Sequence, residues 1–337
     1  MTKVAILGGS GYTAAELIKI LLRHPHVKIE AVTSRQEGTP TVAELHPSLL
    51  GRIDLGCEPL DADALKQRRV QCAFGCLPHG VSAASVKPLL ERGIRVVDLS
   101  ADYRLRDPKA FQAYYGEPPH DLVNLPRAVY GLPELYGDQI AKADLVANPG
   151  CYPQTAIIGL APLVANRLIE LKGIIVNSCS GVSGAGRTPK LPYHFPECNE
   201  SVSAYNVGKH RHTPEIEQAL GDVAGEAVEV LFAPHLVPMD RGIFSTIYAT
   251  PTKPATAAEL LTLYREYYAK SKFVRVRDTM PGSKDTAHTN FLDVHVIVTR
   301  GKIVVLATED NLIRGASGVA VQNFNRMFGY EETAGLL

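Results

Sequence analysis

The stretch Ala147-Asn148-Pro149-Gly150-Cys151-Tyr152-Pro153-Gln154-Thr155 places a cysteine at a turn where an apolar helical run begins. Asn-Pro-Gly is a strong turn signal, and Pro153 suits the opening of a helix expected over Gln154–Leu168, where a missing N–H costs little. At a helix N-terminus a thiolate is stabilised and becomes a nucleophile; a buried structural thiol is the alternative reading. The other five cysteines lack this setting: Cys72 and Cys76 fall in an apolar strand, Cys57 and Cys198 in loops, and Cys179 at a strand end. A cysteine nucleophile needs a proton-handling partner. Lys209-His210-Arg211-His212 offers two histidines. In an extended segment their side chains face opposite ways, so only one would reach the sulfur. No local Cys/His set completes a tetrahedral site around the His-x-His pair, and no metal is expected.

A second chemical feature opens the chain. Gly8-Gly9-Ser10-Gly11-Tyr12-Thr13-Ala14 follows an apolar strand and starts a helix. Gly8, Gly11 and Ala14 occupy the constrained positions of a dinucleotide fingerprint, in which the backbone approaches a pyrophosphate at a helix N-terminus. A mere tight turn between strand and helix is the plainer reading. The next strand ends in Val32-Thr33-Ser34-Arg35, with an arginine where an NAD site usually has an acid. Glu30 comes earlier, inside the strand. An arginine suits a ribose 2′-phosphate, so the pattern favours NADP over NAD, with a solvated turn as the alternative.

These residues need elements to hold them. Strands over Lys3–Leu7, Lys28–Thr33, Val70–Leu77 and Val96–Leu99 alternate with helices over Ala14–Arg23, Asp61–Gln67 and Ser82–Arg92. That rhythm predicts an α/β, Rossmann-like doubly wound parallel sheet. After Gly150 it changes. The helix over Gln154–Leu168 leads to a strand over Ile174–Asn177, a Gly-rich loop through Gly181–Gly186, and long strands over Ala227–Leu236, Gly242–Thr250 and Phe291–Ala307. Thr299-Arg300-Gly301-Lys302 breaks the last into a hairpin. The second half therefore predicts an α+β unit with a mostly antiparallel sheet, followed by a helix over Gly315–Met327.

Bulk properties limit the function. The 337 residues suit about two domains. They are 45% hydrophobic, and 35 basic residues balance 35 acidic ones. Nothing advertises nucleic acid or an anionic membrane, so an anionic ligand must be bound by a local site. No apolar run is long enough to span a bilayer, and the N-terminus runs straight into strand and helix, so no secretory leader is expected. Six scattered cysteines suit reduced thiols in the cytoplasm.

Further motifs follow in order: Leu77-Pro78-His79-Gly80, Asp98-Leu99-Ser100-Ala101-Asp102-Tyr103-Arg104, Tyr130-Gly131-Leu132-Pro133-Glu134, the Cys151 segment, Ser180-Gly181-Val182-Ser183-Gly184-Ala185-Gly186-Arg187, His210-Arg211-His212-Thr213-Pro214-Glu215, Pro234-His235-Leu236-Val237-Pro238 and Gly315-Ala316-Ser317-Gly318 with Gln322-Asn323. With the opening glycine loop, this set resembles the N-acetyl-gamma-glutamyl-phosphate reductase family (long, common type), within the aspartate-semialdehyde dehydrogenase-like superfamily, over essentially the whole chain. The resemblance implies NADPH-dependent reduction of N-acetyl-L-glutamyl 5-phosphate to the 5-semialdehyde in arginine biosynthesis, through a thioester on Cys151 with His212 as the catalytic histidine. It implies NADP(H) contacts at Gly8, Ser10, Gly11, Tyr12, Thr13, Ser34, Arg35, Leu77, Pro78, His79, Ser183, Gly184 and Asn323. Arg104, on the transferred phosphate, Asn148, Gln154, Ser180 and His210 are implied on the substrate side; Tyr205, just before the histidine segment, is a further pocket candidate, and Arg187 and Lys190 are weaker anion candidates, with a solvated surface as an equal reading. His79 has a plainer reading, as a loop residue capping the next helix. An NADP-binding domain over 1–148, completed by 315–337, a catalytic and dimerisation domain over 149–314, and a homodimer or homotetramer are also implied. Two alternatives stay open. One is the same chemistry on aspartyl phosphate or on a carrier-protein-bound glutamyl or aminoadipyl phosphate. The other is a non-catalytic NADP-binding sensor, which accounts for the glycine loop but not for Cys151 or the histidine pair.

Overall fold

The structure, a computed structural model, describes residues 1–36 and 38–337. It divides into two compact units, Met1–Pro149 with Ala316–Leu337, and Gly150–Gly315.

The first unit begins β1 (Thr2–Leu7), α1 (Tyr12–Leu21), β2 (Val27–Thr33), α2 (Val42–Leu45), β3 (Cys57–Glu58), α3 (Ala62–Gln67), β4 (Cys72–Gly75), α4 (Ser82–Glu91), β5 (Arg95–Asp98) and α5 (Pro108–Tyr115). It continues with β6 (Val129–Tyr130), α6 (Pro133–Ile140) and β7 (Leu145–Ala147). The strands form a parallel sheet in the order β3-β2-β1-β4-β5-β7-β6. Val4, Ala5, Ile6, Leu7, Cys72, Ala73 and Phe74 are fully buried, as strands covered on both faces require. The order reverses between β1 and β4, the switch point at whose C-terminal edge doubly wound sheets bind ligands. The Rossmann-like expectation is met. The sequence reading missed α5, α6, β6 and β7, and it put Cys57 in a loop although Cys57 begins β3. It also ran β4 on to Leu77; the strand ends at Gly75, before the turn at Pro78.

The second unit contains α7 (Cys151–Ala165), β8 (Ile174–Ser180), α8 (Phe195–Cys198), β9 (Ser203–Ala204), α9 (Thr213–Ala224), β10 (Val230–Leu236), β11 (Ile243–Ala249), α10 (Ala257–Tyr267), β12 (Val274–Val276), β13 (Leu292–Thr299) and β14 (Lys302–Glu309). Its sheet runs β12-β13-β14-β11-β8-β10-β9. The β8–β10 and β12–β13 pairs are parallel and the other four antiparallel, so the sheet is mixed and mostly antiparallel. Arg300 and Gly301, both at positive φ, turn the β13–β14 hairpin. Every residue of α7 from Tyr152 to Val164 is buried, so this helix is the core of the unit, packed on α9, β11 and β14. Cys198, expected in a loop, ends α8.

A π-helical turn over Ile313–Ser317 precedes α11 (Gly318–Phe328). Within the first unit α11 packs on α1, α6 and β5.

Candidate active site

The reactive end of the second unit is built from two helix N-termini. The helix carrying Cys151 starts three residues earlier than the sequence reading placed it: Gly150 is the N-cap, Cys151 the first helical residue and Pro153 the third. An α-helix leaves its first four N–H groups outside its own ladder. Here the first, on Gly150, donates to Oε1 of Glu215 at 2.7 Å, and the fourth is absent because residue 153 is proline. The N–H groups of Cys151 and Tyr152 are the other two at this helix start. Glu215 is buried in the first turn of α9, and His212 is the N-cap of that helix.

The two histidines do not lie on an extended segment. His212 has helical backbone angles, its N–H donates to Nδ1 of His210 at 3.1 Å, and the rings are 4.7 Å apart. The expectation that only one histidine faces Cys151 is therefore corrected. Side-chain alternation holds for a strand, and a turn before a helix brings i and i+2 together. Both rings line the cavity with Cys151. They differ in protonation chemistry. Burial, and then the nearby charge of Arg211, pushes the His210 pKa down to about 4. His210 is thus neutral near pH 7, with Nδ1 accepting and the ring held edge-on against Tyr152, Tyr205 and Phe232. His212 is half-buried.

The cavity has a volume of about 540 Å³, within the roughly 300–1,000 Å³ usual for small-ligand sites. Ser180, Gly184, Tyr205, His210 and His212 line it with Cys151. The Tyr205 hydroxyl meets that of Tyr152 at 2.9 Å. Burial first, and then among other charges that of Cys151, opposes ionisation of both tyrosines. Gln154 is held from the core side. It is fully buried, does not line the cavity, and donates from Nε2 to the Arg314 carbonyl at 2.9 Å. Ser183 donates to the Asp240 carbonyl at 2.6 Å and accepts from Asn311, so its hydroxyl shapes the loop. Gly315 also belongs here: a Cβ on it would lie 2.8 Å from the Cβ of Cys151. Arg211 and Glu215 were absent from the candidate set although both stand in the quoted histidine motif; their reach depends on packing.

Four of the other thiols are poor nucleophiles. Burial pushes up the pKa of Cys57, Cys72 and Cys179, and that of Cys76 to about 12 with help from the charge of Asp98. Among the described residues no group of three His, Cys, Asp or Glu side chains could hold a metal.

In the first unit the glycine loop fits a dinucleotide. Gly8 sits at φ +82°, which disfavours other residues, and a Cβ there would lie 2.6 Å from the Cys76 carbonyl oxygen and 2.9 Å from the Leu77 side chain. The loop carrying Leu77, Pro78 and His79 therefore lies directly against Gly8. A Cβ on Gly11, the N-cap of α1, would meet nothing within 4 Å, and the first turn has no acid. That leaves an open, electropositive helix end beside Ser10, Tyr12 and Thr13, suited to a pyrophosphate. Ser34 and Arg35 follow β2, with Arg35 exposed, whereas Glu30 is held by Lys3 and Lys28 at 3.3 and 3.2 Å. His79 stacks edge-on against Tyr115 and does not cap α4. Asp102 takes that role, accepting from the N–H groups of Gly80 and Ala83.

The polar residues around Asn148 tie the sheet together. Arg104 is buried, with Nε donating to the Asn148 carbonyl and Nη2 to the Leu99 carbonyl, both at 2.8 Å. Asn148 donates to the Ala316 carbonyl and accepts from Asn323, which also donates to the Gly131 carbonyl. These contacts hold the three side chains together at the end of β7.

Two family models match the chain: the semialdehyde dehydrogenase NAD-binding domain over residues 3–143 and the semialdehyde dehydrogenase dimerisation domain over residues 151–311. The N-acetyl-gamma-glutamyl-phosphate reductase of Rhodopirellula baltica is 48% identical, over 99% of this chain and 98% of that protein. That of Desulforudis audaxviator is 48% identical over 100% and 98%. Among solved structures, aspartate semialdehyde dehydrogenase II of Vibrio cholerae superposes with a TM-score of 0.72 at 15% identity, covering 97% of this chain and 98% of that one. Aspartate semialdehyde dehydrogenase of Candida albicans with NADP does so at 0.72 and 14%, covering 98% of each.

Proposed function

Because the chain belongs to the N-acetyl-gamma-glutamyl-phosphate reductase family, we propose that it reduces N-acetyl-L-glutamyl 5-phosphate with NADPH to N-acetyl-L-glutamate 5-semialdehyde and phosphate, a step of arginine biosynthesis. The observation that carries the reading is Cys151 as the first residue of α7, in one cavity with His210 and His212. Bound NADPH supplies the hydride. Its pyrophosphate fits the loop Gly8–Thr13, and Arg35 with Ser34 suits its 2′-phosphate.

The Cys151 thiolate attacks the acyl phosphate carbonyl. A C–S bond forms, the C–O bond to phosphate breaks, and inorganic phosphate leaves with the bonding pair. The Cys151 and Tyr152 N–H groups donate to the tetrahedral oxyanion. After hydride transfer to the thioester carbonyl, the thiohemiacetal collapses to aldehyde and thiolate, and His212 moves the proton at oxygen and sulfur. His210 is neutral and accepts the His212 N–H, so it orients His212. Glu215 holds the Gly150 N–H and so sets the turn that aims the sulfur.

A homodimer or homotetramer working in the cytoplasm fits this reading; the second unit matches a dimerisation domain, and no described helix is long and apolar enough to cross a membrane.

The test runs the reaction backwards, because acyl phosphates are labile. Protein is mixed with NADP, phosphate and N-acetylglutamate semialdehyde, and NADPH absorbance is followed, with aspartate semialdehyde or NAD in parallel wells. Phosphate-dependent NADPH formation with the acetylated substrate is expected, and Cys151→Ser should abolish it while NADP binding persists. Activity confined to aspartate semialdehyde would replace the substrate; turnover retained by Cys151→Ser would refute the thioester route.

A further inference from the structure

The cavity around Cys151 has an uneven charge that the thioester chemistry leaves unexplained. Two cations line it, Arg211 and Lys190, and no aspartate or glutamate does. This occurs in a chain whose acidic and basic residues balance. Arg241 and Arg314 do not line the cavity. Arg241 faces Asp310 at 3.5 Å and Arg314 is fully buried. Arg211 stands between the two histidines, so its backbone is fixed by the same turn that positions them. Its charge lowers the His210 pKa after burial does, and it favours the ionised form of Tyr205 against burial. Lys190 enters from the segment leading to Tyr193 and lines the same cavity.

We propose that Arg211, assisted by Lys190, is the subsite that holds the free α-carboxylate of the substrate and so sets which acyl phosphates and aldehydes are accepted. The inference rests on the functional reading above. The substrate carries two anionic ends. Its phosphate departs from the carbon that Cys151 attacks. Its carboxylate lies at the far end of a short methylene chain, so the cation for it must share the cavity with the sulfur without touching it. Arg211 lines the same cavity as Cys151, and a planar guanidinium matches a carboxylate in bidentate fashion. Held at both ends, the substrate has its carbonyl fixed against the thiolate, and binding at the remote carboxylate is used to orient the reacting carbon.

The experiment compares N-acetylglutamate semialdehyde with its α-carboxamide in the reverse reaction, using wild type, Arg211→Gln, Arg211→Lys and Lys190→Met. Wild type should prefer the free acid by about 10- to 100-fold in kcat/KM, the range expected for a charge-assisted hydrogen-bonded pair. Arg211→Gln should lose most of that preference by raising the KM for the semialdehyde, with the KM for phosphate nearly unchanged. Arg211→Lys should recover part of it, and Lys190→Met should show a smaller loss. Wild type that treats acid and amide alike would overturn the subsite, and this comparison needs no variant to fold. A rise confined to the phosphate KM in Arg211→Gln would also overturn it, by making Arg211 a phosphate ligand. Wild type inactive on the free acid would instead overturn the functional reading itself.

Discussion

Replacing Gly315 with alanine adds one methyl group and should displace the nucleophile. A Cβ on residue 315 lies 2.8 Å from the Cβ of Cys151, 2.9 Å from Oε1 of Glu309 and 3.3 Å from the Asp310 carbonyl oxygen. Cβ contacts below 3.0 Å essentially do not occur, so something must move. The Cβ of Cys151 is bonded directly to the backbone at the start of α7, and Glu309 is fully buried at the end of β14, so neither neighbour yields by a cheap rotamer change. Overpacking of this kind costs about 1–3 kcal/mol. That corresponds to a fall in Tm of roughly 2–10 °C. A displacement of about 1 Å at a reacting group costs on the order of 100-fold in rate, so a shift of a few tenths of an ångström should lower kcat about tenfold. The assay has three readings: Tm by calorimetry, kcat in the reverse reaction, and the rate at which iodoacetamide alkylates Cys151, with Cys151→Ser as the blank. A Gly315→Ala protein with wild-type kcat, alkylation rate and Tm would show that the 313–317 turn does not constrain the sulfur.

Glu215→Ala leaves the buried Gly150 N–H without this acceptor and should cost about 1–3 kcal/mol in stability, with kcat falling as the turn loosens. Glu215→Gln keeps an acceptor and should lose less, so equal losses in calorimetry and kcat would argue against the hydrogen bond. His212→Ala should slow turnover by about 100- to 10,000-fold, whereas His210→Ala, which removes the acceptor for the His212 N–H, should cost about tenfold. The reverse ranking would exchange their roles. Asp98 is fully buried, and burial outweighs the hydrogen bonds from Ser100 and Ser82, raising its pKa to about 6. A carboxyl with a raised folded-state pKa binds its proton more tightly when folded, so its contribution to stability is complete below the unfolded value near 4 and is lost as pH rises through about 6. Asp98→Asn should remove that dependence, so unfolding free energy measured relative to wild type should move in the variant's favour by up to about 3 kcal/mol between pH 4 and pH 7; a constant offset across that range would refute it.

The sequence was most informative where the signal is local. Gly8, Gly11 and Ala14 stand between an apolar strand and an amphipathic helix, and only a tight strand–helix turn accommodates them; the structure has that turn, with Gly8 at positive φ. The β13–β14 hairpin was legible because Arg300-Gly301 suits a turn with two positive φ angles. Cys151 stood out because Asn-Pro-Gly and Pro153 mark a helix start, although the start itself was placed three residues late. Short elements such as β6 and β7 passed unnoticed because two or three residues carry no periodicity.

What the sequence could not contain is the direction in which a side chain leaves an irregular backbone and what it then meets. The argument that only one of His210 and His212 reaches the sulfur assumed a strand, and the observed turn brings both rings into one cavity. Gln154 shares the Cys151 helix, yet its position on that helix turns it into the core. The contacts of Arg104, Asn148 and Asn323 with one another and with main-chain carbonyls became visible only once β5, β7 and α11 were adjacent. Arg211 and Glu215 were in view within one short motif, but one lines the cavity and the other holds a backbone N–H many residues away. Periodicity and turn chemistry act over a few residues and determine which elements form. Burial, charge and hydrogen-bond reach depend on distances between residues far apart in the chain, and those distances exist only in the packed tertiary structure.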